Sequence, residues 1–141
     1  MQIPVRLHYA ALALLELVAA DGRSEPLSIR QIASRHAIPQ PFLVQIFQQL
    51  KAVGWVTSTR GATGGYRSVS DLSSLTLGEI ADAIGCGEAG VRAECGGTPA
   101  ADELKQVWEQ AAGAYREVLL SVSLADLLER LDVGQPAMFY I

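Results

Sequence analysis

One short segment of this sequence combines positive charge with unusual backbone freedom. Residues 59–68 read TRGATGGYRS, which places Arg60 and Arg67 on either side of a glycine-rich turn. Glycine lets a backbone approach a phosphate closely, and an arginine at such a tip can enter the narrow minor groove of DNA. We therefore interpret residues 59–67 as a nucleic-acid contact, in which Tyr66 packs on the base of the turn. The glycines that shape this turn are Gly61, Gly64 and Gly65.

A second set of side chains with recognition chemistry lies on a predicted helix over residues 40–53. Its outward positions carry amides, which can pair with adenine edges in the major groove: Gln40, Gln45, Gln48 and Gln49. Its inward positions carry the predicted core face: Phe42, Leu43, Ile46, Phe47 and Leu50. We expect Arg30, Arg35 and Lys51 to lie near phosphates and to set the salt dependence of binding, with Ser28 on the same surface.

Two helices and a hairpin must position these side chains. Ser28 and Gln31 have the spacing of a capping box, which starts a short helix. Pro39 and Pro41 end that helix and suit the first turn of the next one, where a missing amide costs little. The β-prone runs WVTST and YRSVS then bracket the glycine-rich turn. After a first helix over about 5–20, this order of helix, turn, helix and hairpin predicts a winged helix.

The C-terminal half is predicted to be helical apart from one loop over residues 85–101. A second capping box, Thr76 with Glu79, starts a helix before that loop, and a long helix over about 102–121 follows it. The apolar residues of the long helix recur at coiled-coil spacing: Leu104, Trp108, Ala111, Tyr115, Val118 and Val122. We favour a homodimer interface for this stripe, although it could also pack on the core of its own chain.

These elements predict a mainly α fold with a small β-wing. The predicted divisions are a winged helix-turn-helix DNA-binding domain over 1–84, a glycine-rich cysteine-containing loop over 85–101, and a dimerisation helix with a C-terminal segment over 102–141. The last division contains a short final helix over about 123–132 and an apolar tail.

Charge is distributed unevenly along the 141 residues, whose formal net charge is −4. Residues 1–70 carry seven basic and three acidic side chains, whereas residues 71–141 carry four basic and twelve acidic ones. A basic half joined to an acidic half suggests that one half faces a polyanion. The alternative is that the acidic surface simply keeps the chain soluble.

Cysteine content and hydropathy exclude several classes of protein. Two cysteines do not make a disulfide scaffold, so we expect a reducing, cytoplasmic location. The apolar run Leu7–Ala20 contains Glu16 and is too short to span a membrane, so we interpret it as a buried helix and expect no membrane partner. A phosphate loop, a zinc motif and a third group to orient a Cys–His pair are all missing from the sequence, so we expect no enzyme.

Three stretches of the sequence together resemble the Rrf2 family of bacterial winged-helix transcription regulators. They are RLHYAALALLELVAADG, the segment from LSIRQIASRHAIPQ through RGATGGYRSVS, and LTLGEIADAI, and the similarity continues through the long helix. The resemblance implies a homodimer, a two-fold-related DNA operator, and repression or activation of transcription. In that family the recognition helix usually begins with small hydroxyl residues and carries a Glu before the Gln. Here Pro39, Pro41 and Val44 stand at those positions, which leaves the operator sequence open.

The resemblance also raises a redox or iron-sensing role for the cysteines. Many members hold an iron–sulfur cluster through three cysteines in the loop before the long helix, with a fourth ligand from elsewhere. This sequence offers Cys86 and Cys95, and His8 on the first helix is the candidate for a further ligand. Three alternatives stay open: a [2Fe–2S] cluster with non-cysteine ligands, a thiol switch, or a regulator without a cofactor. A winged-helix protein-interaction module without DNA binding is the remaining alternative function.

Overall fold

Six helices and one hairpin make up the part of the chain described by the computed structural model, which covers residues 2–21, 25–62, 64–87 and 97–134. In chain order the elements are α1 (Val5–Ala19), α2 (Ile29–His36), α3 (Gln40–Ala52), β1 (Val56–Thr59), β2 (Gly65–Ser68), α4 (Leu77–Ala83), α5 (Pro99–Ser121) and α6 (Leu124–Gly134). The predicted fold class, mainly α with a small β-wing, is confirmed. Helix α5 begins three residues before the predicted position.

The helix pair α2–α3 forms for the reasons that its sequence suggests. The Ser28 hydroxyl accepts a hydrogen bond from the Gln31 amide, and the Gln31 side chain accepts one from the Ser28 amide, both at 3.1 Å. Ala37 ends α2 in the left-handed conformation, with φ of 53°. Pro39 is the N-cap of α3, and Pro41 lies in its first turn. A tight turn therefore joins the two helices of a helix-turn-helix.

The core lies where α1, α3 and α4 meet. Fully buried side chains from these helices include Leu14, Leu43, Ile46, Phe47, Leu50 and Ile80. One residue of the predicted core face is wrong, because Phe42 is 41 % exposed and lies edge-on to Tyr9 of α1 at a ring distance of 6.0 Å. Phe42 follows Pro41 in the first turn of α3, at the end of the helix. There its ring packs on the partly buried Tyr9 and does not enter the core.

The hairpin is anchored to the helical core through a third extended segment. Strands β1 and β2 pair antiparallel, with Ser58 opposite Tyr66 and Thr59 opposite Gly65. Leu27 bridges to Tyr66 on the other side of β2, through backbone bonds of 2.7 and 3.0 Å. The Tyr66 ring stacks on Phe47 at 4.4 Å, as expected for a residue that packs on the base of the turn. The position of the hairpin is therefore fixed against α3.

Helix α5 packs on α4 through a narrow face. Ala112 is buried, and Leu120 lies against Gly78 of α4, which has no side chain to obstruct it. Val122 is a correction to the predicted stripe, because it follows the end of α5 in extended conformation and its carbonyl accepts from the Leu77 amide. In the described residues, no helix is both long enough and apolar enough to cross a membrane.

Candidate nucleic-acid interface

The outward surface of α3 carries amide side chains in successive turns. Gln40, Gln45 and Gln48 are exposed, and Gln40 and Gln48 lie on roughly the same face because a separation of eight residues makes about two helical turns. The opposite face of α3 is buried in the core, so the helix is held rigidly while these amides remain accessible. A helix of this kind fits the major groove of DNA, where amides can pair with adenine.

Gln49 occupies a different position from the other predicted reading amides. Its Oε1 accepts a hydrogen bond from the Arg6 guanidinium of α1, and the side chain is partly buried. Gln49 follows Val44 by five residues, so its side chain points to a different side of α3. That side faces α1, where Arg6 lies. Arg6 is thus a site residue that our sequence reasoning missed, and its bond to Gln49 ties α1 to α3 beside the amides.

A direct contact joins the end of α3 to the hairpin. The Lys51 ammonium donates a hydrogen bond to the Ser58 hydroxyl of β1 at 2.8 Å, and both side chains are exposed. Lys51 lies on the same face of α3 as Gln40 and Gln48, since eleven residues make about three turns. The amides of α3, Lys51 and the hairpin therefore form one continuous surface, which we call the reading surface: Gln40, Gln45, Gln48, Lys51, Ser58 and Arg60.

The glycine-rich turn brings Arg60 to the outer end of the reading surface. Arg60 and Gly61 are exposed, and Gly61 adopts a φ of 112° that few other residues tolerate. Arg67 lies instead within β2, opposite Thr57, and is half-buried and engaged in an interaction. The two arginines that flank the turn in sequence are therefore not equivalent, and Arg60 is the one placed at the tip.

Gly64 and Gly65 serve the packing of the hairpin. A Cβ on Gly64 would overlap the Thr59 carbonyl, and a Cβ on Gly65 would overlap the carbonyl of Leu27. Both neighbours are backbone, which cannot rotate away as a side chain would. These two glycines therefore close the turn and admit the Leu27 segment, a structural role additional to the predicted approach to phosphate.

The cations of α2 divide into one exposed residue and one ion-paired cluster. Arg30 is exposed beside the capped start of α2. Arg35 and His36 both contact the carboxylate of Glu16 on α1, each at 2.7 Å, and the Glu16 side chain is only 15 % exposed. Arg35 therefore ties α2 to α1, in addition to any phosphate contact. Glu16, an acid inside an apolar run, was the sequence signal for this cluster.

The candidate metal and redox residues do not come together in the described part of the chain. Cys86 is half-buried against the core, and its amide donates to the Ala81 carbonyl at 2.7 Å. His8 is exposed on α1, with its ring 6.1 Å from that of Tyr9. Cys95 lies outside the described residues. Among those described, no three His, Cys, Asp or Glu side chains are grouped as metal ligands.

The described residues do not assemble the donor set of an ordinary iron–sulfur centre. Such clusters are held by four cysteine thiolates, or by two cysteines and two histidines in one variant. Each chain carries two cysteines and two histidines, and one of those histidines, His36, is bonded to Glu16. We therefore derive no step of the function through a cluster.

Comparison with known proteins decides the family. The model of the family described as "Rrf2: Iron-dependent Transcriptional regulator" matches residues 3–130. The chain belongs to the Rrf2 family. Among curated relatives, the HTH-type transcriptional regulator CymR of Bacillus subtilis is 33 % identical over the full length of both chains. Protein rrf2 of Nitratidesulfovibrio vulgaris is 31 % identical, covering 91 % of this chain and 87 % of that protein.

Solved structures of Rrf2 members share the fold. The structure of CymR, described as the global cysteine regulator of B. subtilis, superposes with a TM-score of 0.74 at 30 % identity, covering 92 % of this chain and 98 % of that one. The T. potens IscR superposes with a TM-score of 0.77 at 29 % identity, covering all of this chain and 97 % of that one. This chain is accordingly a DNA-binding transcription regulator, and its family is not one of enzymes.

Proposed function

We propose that this Rrf2 protein acts as a homodimer on an operator with two-fold symmetry, placing α3 in the major groove and the hairpin near the minor groove. The observation that carries the proposal is the continuity of the reading surface, in which Lys51 bonds Ser58 and so joins α3 to the hairpin. A major-groove helix with an arginine-tipped wing reads two neighbouring features of one duplex. DNA is found in the cytoplasm of bacteria, so the predicted cytoplasmic location is part of this proposal.

The apolar stripe of α5 supports the dimer. Leu104, Trp108 and Val118 are 52 %, 46 % and 63 % exposed, although they recur with coiled-coil spacing. A contiguous exposed stripe of this kind marks an interaction surface. A second copy is the occupant that the stripe itself suggests, because the same helix presents the same spacing and two-fold pairing is self-complementary.

Removal of the arginine at the wing tip tests the proposal. We expect Arg60→Ala to weaken binding to a duplex selected from a random pool. The slope of log K against log salt concentration should fall in magnitude by about 1, because one cation near the phosphates is lost. Fluorescence anisotropy over a range of salt concentrations measures both quantities.

Arg130→Ala is the matched control, since Arg130 is an exposed arginine on α6, outside the reading surface. It should leave the affinity and the salt slope at their wild-type values. Equal binding by Arg60→Ala and the wild type would remove the hairpin from the interface. If no duplex were retained at any salt concentration, the chain would instead be a winged-helix protein-interaction module.

A further inference from the structure

Val44 is an apolar side chain in the middle of a polar reading surface. We propose that it reads the 5-methyl group of a thymine and so determines the operator sequence that this regulator binds. The inference rests on the proposed placement of α3 in the major groove, and it extends that placement by assigning one base contact to one residue.

The first observation is that Val44 does not take part in the core. It is 40 % exposed, whereas the neighbouring aliphatic residues of α3, Leu43, Ile46 and Leu50, are fully buried. A β-branched residue has a lower helix propensity than the straight-chain polar residues that suit an exposed helical position. Neither packing nor propensity therefore accounts for a valine at this position, whereas contact with a partner would.

The second observation is the location of Val44 between two amides. It lies four residues after Gln40 and four before Gln48, so the three side chains occupy successive turns of one face. Gln49, the amide on the adjacent flank, is bonded to Arg6 and is therefore committed to α1. Any base edge that reaches the centre of this face meets the two methyl groups of Val44.

The chemistry of the major groove then selects the base. Thymine alone presents a methyl group there, while the other three bases present hydrogen-bonding donors and acceptors that valine cannot satisfy. Adenine is the base that the flanking glutamine amides pair with. Val44 with Gln40 and Gln48 is thus suited to a short tract of A·T pairs in each half-site.

Replacing thymine by uracil removes only the methyl group, so it isolates this contact. A duplex is selected from a random pool with the wild-type chain, and its thymines are then changed to deoxyuridine one at a time. We expect one thymine in each half-site at which the change weakens binding about fourfold, which is the equivalent of one buried methyl at about 0.8 kcal/mol. In Val44→Ala the same change should leave affinity unaltered.

Val53→Ala is the matched control, because Val53 is 45 % exposed at the end of α3 but lies two and a half turns away, on the opposite side. It should keep the wild-type sensitivity to uracil. Binding that tolerates uracil at every position, or a uracil penalty that persists in Val44→Ala, would overturn the inference while leaving DNA binding intact. Failure of the wild type to select any duplex would overturn the inference together with the proposed function.

Discussion

The N-terminal body, which comprises α1–α4 and the hairpin, and the long helix α5 differ in how they place their apolar side chains. In the body, Leu14, Phe47 and Ile80 are completely buried. In α5, whose 23 residues are all described, Ala112 is the single buried residue, while Trp108 is 46 % exposed. The body therefore completes its core from its own chain, whereas most of the large apolar side chains of α5 remain exposed on the single chain.

Helix α5 contacts the rest of the chain through few of its side chains. The face toward α4 carries the small Ala112, the partly buried Leu119 and the charged Arg116, which is paired with Asp82. The residues with coiled-coil spacing, Leu104, Trp108 and Val118, are exposed instead of packing on α4. Amphipathic patterning alone does not distinguish a helix that packs on its own chain from one that packs on a partner. The structure makes this distinction, because it shows which side chains of α5 contact α4 and which are exposed.

The largest effect should come from the centre of the body. Phe47→Ala removes a fully buried ring and its stack on Tyr66, so we expect the free energy of unfolding to fall by about 3–5 kcal/mol. Urea unfolding followed by circular dichroism measures this loss. Phe42→Ala is the control, because it makes the same change on the same helix at a side chain that is 41 % exposed. Equal losses in the two variants would contradict the described division of α3 into buried and outward faces.

A smaller effect, in assembly, is expected from α5. Trp108→Ala should raise the dissociation constant of the dimer by about thirtyfold or more, which corresponds to an interface hot spot of about 2 kcal/mol. DNA affinity should fall with it, since a two-fold operator needs both subunits. Analytical ultracentrifugation over a range of concentrations measures the first quantity.

Gln106→Ala is the control for that experiment, because Gln106 is exposed on α5 but lies outside the apolar stripe. It should leave the dimer unchanged. Monomers of Trp108→Ala that still bind a two-fold operator at full strength would show that the stripe of α5 is not the dimer interface. The contrast between the two regions would then need another explanation.

Sequence patterns predicted the helices and strands more accurately than they predicted the surroundings of individual side chains. Capping boxes at Ser28 and Thr76 and prolines at the start of α3 are local signals, and each marks a helix that the structure contains. Phe42 and Gln49 were assigned to the wrong surroundings because their orientation depends on contacts with Tyr9 and Arg6, about 33 and 43 residues away in sequence. Periodicity along α3 alone carries no information on where α1 approaches it.

The reading surface shows the same limit. Sequence reasoning found the glutamines, Lys51 and Arg60 from residue type and order. It treated Arg60 and Arg67 as equivalent, because only the register of β2 shows that Arg67 lies within the strand. It also attributed Gly65 to contact with phosphate, since the approach of Leu27 to β2 is a tertiary feature.

The smallest effect is expected at the ion pair that joins the two regions. Asp82 of α4 accepts two hydrogen bonds from Arg116 of α5, at 2.8 and 3.0 Å. These bonds hold the pKa of Asp82 below its ordinary value of 3.8. A carboxyl whose pKa is lower in the folded state stabilises the fold above its unfolded pKa, and this contribution is lost as pH falls through the folded pKa. Both side chains are nearly half exposed, so solvent and salt weaken the pair.

We therefore expect Asp82→Asn to lower Tm slightly at neutral pH. The difference from the wild type should disappear in strong acid, where the Asp82 carboxyl is protonated and as uncharged as the asparagine amide. Thermal unfolding of the two chains across this pH range measures the difference. In an Arg116→Ala background the same substitution should have little effect at any pH, because its partner is gone. A Tm difference that stays constant with pH would mean that the charge of Asp82 does not hold α5 to the body, and that apolar contacts such as Leu120 on Gly78 do so instead.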